Sequence, residues 1–141
     1  MAYATQTDMV SRFGEDELIA LTDRGLTGQI DPVVVGSALD DASAEIDTYL
    51  AGRYTLPLVA VPKFIGGLCC DIARYRLSGS STLETTVARD RYRDAVAFLK
   101  LAAEGKVTLG AMPNGVTVQP GETIEFRQGS RIFSREDRGA Y

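Results

Sequence analysis

The chain of 141 residues has no histidine, no tryptophan and only two cysteines. Without histidine, the usual general base, the commonest metal ligand and the ordinary pH switch are missing. A Ser-His-Asp or Cys-His catalytic arrangement is excluded. A zinc site would need thiolates and carboxylates alone, and two cysteines are too few for the common structural sites. The two cysteines are adjacent, Cys69-Cys70. Neighbours in sequence bridge poorly and lack the CxxC spacing of redox or metal motifs. Apolar runs stop well short of the ~20 residues that span a bilayer, so no membrane contact is expected. The opening MAYATQTDMVSRFGEDEL lacks a basic start and an apolar core, so it is not read as a signal peptide and a cytosolic setting is expected. The stretch AEGKVT echoes a phosphate loop but has Lys100 in place of the first glycine and Val107 after the lysine, so no nucleotide or other cofactor is expected.

What is present suits a single domain with one core: 45% hydrophobic and 24% charged residues. Charge is divided along the chain. Residues 1–50 hold ten acidic residues against two arginines, a net −8; residues 51–141 hold thirteen basic against nine acidic, a net +4, which together give −4. Such a chain can present an acidic face to the basic face of a neighbour. Arg89, Arg91 and Arg93 alternate with Asp90 and Asp94, so a helix spreads them around its girth and no basic DNA-binding face results.

Periodicity predicts four to five helices. Thr5 or Thr7 caps a first helix that Gly14 ends, and EDELIAL opens a second with acids at its positive dipole end. Asp31-Pro32 is a helix start, since Asp caps and Pro tolerates the first position. That helix runs to about Ala51, with Val35, Ala38, Leu39, Ala42, Ile46, Tyr49 and Leu50 on one stripe. RYTLPLVAVP cannot be helical and reads as a connector carrying apolar side chains over the core. Another helix runs from Pro62 to about Leu77. It is apolar nearly all round, with only Gly67, Asp71 and Arg74 as a polar strip, so it is either central or faces another subunit. Ser81 or Thr82 caps the last helix, which ends at Gly105. Arg53, Arg76 and Arg91 project on apolar stripes and need partners, for which Glu45 and Glu84 are candidates. Beyond Lys106 the helical period is lost. Val107–Leu109 and Val116–Val118 could pair around Asn114-Gly115 as a short β-hairpin. The expected organisation is therefore an all-α compact bundle over residues 1–109 with an extended C-terminal arm, 110–141.

AEIDTYLAGRYTLPL (44–58) and CDIARYRL (70–77) resemble the Mu-like phage family of small head-completion proteins, which is grouped with the head–tail connectors of tailed phages. The matching residues include Asp47, Arg53, Tyr54, Pro57, Asp71, Tyr75 and Leu77. The resemblance implies a structural protein and not an enzyme. It implies a homo-oligomeric ring, about twelvefold by closed symmetry, that joins the portal protein to a tail-side connector or terminator and lets DNA pass without sequence-specific binding. The setting implied is the virion, and the host cytoplasm during assembly. The motif residues look architectural; no catalytic, cofactor or metal role comes with them. Phe126, Arg131, Phe133 and Arg135 in the arm are the aromatic and arginine anchors expected to dock on a partner. A tail-end closure protein and a helical nucleic-acid-binding or regulatory module are the alternatives.

Overall fold

A computed structural model describes residues 1–79 and 85–110. It contains five α-helices and, among the described residues, no strand. Helix α1, Gln6–Phe13, starts in a capping box: the Thr5 hydroxyl accepts from the Asp8 N–H while the Asp8 carboxylate accepts from the Thr5 N–H. Gly14, at φ +87°, both ends α1 and leads into α2, Glu15–Thr22, in a conformation that strains residues with a side chain. The Asp31 carboxylate accepts from the N–H groups of Val33 and Val34 and opens α3, Pro32–Leu50, with Pro32 in the first turn. The spacing signal at Asp31-Pro32 is thus realised.

Helix α4, Lys63–Ser78, and α5, Thr86–Ala103, complete the set. The cap of α5 is Thr85, whose hydroxyl accepts from the Ala88 N–H at 3.2 Å. The expected caps, Ser81 and Thr82, lie outside the described residues, as does Glu84. Several hydroxyl residues in a row offer equivalent caps, and the extended backbone at Thr85 selects one of them.

Helices α3, α4 and α5 pack on one another, and α1 and α2 lie across α4. Helix α4 is therefore the central helix. Ile65, Cys69, Cys70, Ile72 and Ala73 are fully buried and Leu68 and Leu77 nearly so. Leu77 sits with Val34 and Ala38 of α3 around one surface cavity. The side of α4 bearing Cys70 and Leu77 is covered by this chain itself, which resolves the choice between a central helix and one facing another subunit. The connector, residues 51–62, seats Tyr54 and Leu58 in the core and leaves Val59 wholly exposed. Leu109 is buried, so the core extends past α5. Residues 111–141, and with them Val116–Val118 of the expected hairpin, lie outside the described residues. No described helix is long and apolar enough to cross a membrane.

Candidate functional site

The motif residues converge on the ties between helices. Glu45 of α3 is the hub. Its carboxylate accepts from Arg76 of α4 at 2.6 Å and from the Tyr92 hydroxyl of α5 at 2.9 Å. Tyr75 of α4 stacks on Tyr92, with centroids 4.3 Å apart and planes 13° apart. One carboxylate and one aromatic pair thus clasp α3, α4 and α5 together. The bond to Glu45 raises the already high Arg76 pKa, and burial followed by the same carboxylate raises that of Tyr92. The expectation that Arg76 needs a partner and that Glu45 supplies it is met.

Asp47 holds the N-terminal segment. The Tyr3 hydroxyl donates to it in a short bond, and the Tyr3 N–H donates to the Ser43 hydroxyl at 3.0 Å. Burial, then the bond to Asp47, raises the Tyr3 phenol above its ordinary value. Arg53 lies against the end of α5: a Cβ on Gly105 would stand 1.9 Å from its Nη1. Gly105 has φ +76°, so two constraints require glycine there. The Arg53 guanidinium thus faces the negative end of the α5 dipole and not that of its own helix. Its Nε has no hydrogen-bond partner among the described residues, nor does the buried hydroxyl of Tyr54. Pro57 follows a cis peptide bond in the exposed part of the connector.

Asp71 and Arg74 form the polar strip of α4, and each is tied differently. Arg74 pairs with Glu17 of α2 at 2.5 Å and lies over the Phe13 ring at 4.7 Å. Asp71 faces Arg91 of α5 at 3.7 Å, too long for a hydrogen bond. Burial raises the Asp71 pKa against the opposing pull of Arg91, Arg12 and Arg74. Arg91 itself is half-exposed, so it snorkels from its stripe and is not buried.

The two thiols behave as small apolar side chains. Both are buried and free. Burial pushes Cys70 up to about 12 and also raises Cys69, which the Ser43 hydroxyl contacts at 3.5 Å. Thiols so held are poor nucleophiles. Among the described residues no group of three or more Cys, Asp or Glu could hold a metal. Asp40 and Asp41 are solvated on the outer face of α3. The arm residues Phe126, Arg131, Phe133 and Arg135 lie outside the described residues.

Sequence reasoning missed Tyr3, Ser43 and Tyr92 as partners. A helical period sets the face on which Tyr92 lies but does not reveal which acceptor its phenol meets. Ser43 is buried between helices, where a hydroxyl normally argues for exposure; it is satisfied by the Leu39 carbonyl at 2.7 Å.

The class these features define is a rigid all-α domain whose motif side chains bind helix to helix. The chain belongs to the bacteriophage Mu Gp36 family, whose model matches residues 3–128. It is 36% identical to gene product J of Escherichia phage Mu over 141 residues, 99% of each chain. It is 37% identical to the Mu-like prophage FluMu protein gp36 of Haemophilus influenzae over 133 residues, 94% of this chain and 93% of the relative. The resemblance drawn from residues 44–58 and 70–77 to a Mu-like phage family therefore holds, and the protein is a phage or prophage gene product.

Proposed function

We propose that this protein is a structural subunit of virion assembly, a head-completion or head–tail connector protein, and not an enzyme. The observation that carries this reading is the use of the motif residues. Asp47 ties the N-terminal segment to α3, Arg53 lies against the end of α5, Tyr75 stacks between α4 and α5, and Tyr54 and Leu77 fill the core. A family signature concentrated on architecture fits a part whose shape is its function. The subunits join into a closed ring between the portal and a tail-side connector or terminator, and DNA passes through without sequence-specific contacts. The ring forms in the host cytoplasm and ends in the virion. Charge supports head-to-tail association: α2 and α3 expose Glu15, Asp16, Asp40 and Asp41, while α5 exposes Arg89, Arg93 and Lys100 beside Asp90 and Asp94, a mixed face with a slight positive excess.

The test is imaging of the protein mixed with the portal of its own phage by negative-stain electron microscopy over a range of salt. Rings capping the portal are the expected result. Failure to associate at every ionic strength overturns the connector role. A gel shift at stepped salt tests the DNA statement: tight binding that survives physiological salt would contradict it.

A further inference from the structure

Residues 3–12 lie as a strap over the seam between α3 and α4. At one end the Tyr3 hydroxyl donates to Asp47 and the Tyr3 N–H donates to the Ser43 hydroxyl, both on α3. Ala4 and Met9 are its buried anchors. At the other end the Arg12 guanidinium lies across α4. Beneath the strap α4 carries Gly66 and Gly67 side by side, a pair that weakens a helix. The strap requires the room they leave. A Cβ on Gly66 would stand 3.2 Å from the Tyr3 carbonyl oxygen, and one on Gly67 would stand 2.6 Å from Arg12 Nη2.

The strap is anchored more lightly than the helices it covers. Met9 is the one buried residue among the eight of α1, against seven in α3 and nine in α4. An isolated helix as short as α1 does not persist in water, so α1 is helical because it is docked. The strap joins the body through Gly14, at φ +87° with nothing within 4 Å of a Cβ placed there. Around that joint the chain is fixed again. Arg74 covers the Phe13 ring and pairs with Glu17, and Leu18 and Leu21 are buried. The boundary between lightly and firmly held chain therefore falls at Phe13-Gly14.

We infer that residues 3–12 are a latch that opens about Phe13-Gly14 while α2 to α5 stay folded. Opening bares Ser43 and Asp47 of α3 and the Gly66-Gly67 trough of α4. The affinity of any partner for that seam is scaled down by the fraction of time the latch is open. The inference concerns the free protein and does not depend on the connector reading.

The experiment is native-state hydrogen exchange of the full chain in dilute urea, read by mass spectrometry on peptides from residues 3–12, α3 and α4. The strap should exchange at least about tenfold faster than α3 and α4, and its rate should respond weakly to urea, because little surface is exposed on opening. Tyr3→Phe removes the bond to Asp47 and should speed strap exchange roughly tenfold. Glu45→Ala loosens the clasp of α3, α4 and α5 without touching the strap. It should speed exchange in α3 and α4 by more than about tenfold and leave the strap within about twofold. A strap that exchanges at the rate of α3, with the same urea response, would show that it opens only when the bundle unfolds and would overturn the inference. So would strap exchange that ignores Tyr3→Phe, or that rises with α3 and α4 in Glu45→Ala.

Discussion

Replacing Glu45 by alanine tests the three-helix clasp most directly. Two bonds are lost at once, to Arg76 at 2.6 Å and to the Tyr92 hydroxyl at 2.9 Å. The Arg76 side chain is 41% exposed, so water replaces its partner cheaply and that loss is held to under about 1 kcal/mol. The Tyr92 hydroxyl is half-buried and loses a charged acceptor, worth about 1.5–3 kcal/mol; partial access of water puts it at the low end. Alanine returns a few tenths of a kcal/mol in helix propensity. The net cost is about 2 kcal/mol, which for a body of this size lowers Tm by roughly 6–12 °C. Thermal and urea unfolding followed by far-UV circular dichroism measure it. A double-mutant cycle with Tyr92→Phe should give a coupling of about 1 kcal/mol. Additivity of the two substitutions to within about 0.3 kcal/mol would refute the clasp, because neighbours that share a bond do not add.

Leu77→Asp should destabilise by about 3 kcal/mol or more, since it buries an unpaired carboxylate in a site 4% exposed; urea unfolding measures it, and unchanged stability would place Leu77 on an open face. Gly36→Ala should stabilise by about 0.5–1 kcal/mol, because a Cβ there meets nothing within 4 Å; a loss of melting temperature would contradict this. Asp71→Asn should stabilise at neutral pH. The raised folded pKa means that Asp71 contributes favourably only while protonated, and this is lost as pH rises through the folded value; the gain should therefore shrink as pH falls below the ordinary carboxylate range, and a gain that grew on acidification would reverse the sign. Cys69 and Cys70 should resist Ellman's reagent in the native protein and react on unfolding; rapid native modification would show that the α4 core opens.

Much of the bundle was legible because helix signals are local. Asp31-Pro32 marks the start of α3 by chemistry within four residues, and the all-round apolarity of α4 narrows it to a central helix or one facing another subunit without knowledge of its neighbours. The failures share a different cause. Which hydroxyl among residues 80–86 caps α5 depends on where the backbone turns, and that depends on packing at the far end of α4. Spacing places Arg53 on an apolar stripe and asks for a partner, with Glu45 and Glu84 as candidates, yet it lies against Gly105, more than fifty residues away in sequence. Tyr3 lies ahead of the first helix, in a segment with no period to interpret, and its bond to Asp47 arises only from the fold. Direction along a helix can be computed from spacing, whereas partnership requires the tertiary arrangement.

The sealed thiols and the missing tryptophan have a practical consequence. With Cys69 and Cys70 buried and no indole in the chain, the native protein offers no exposed thiol and no tryptophan emission. A cysteine introduced at Val59, which is 99% exposed, would take a maleimide dye without prior removal of the native pair. A tryptophan introduced anywhere would be the sole indole emitter. Subunit exchange and portal capture could then be followed by energy transfer in the otherwise unaltered protein.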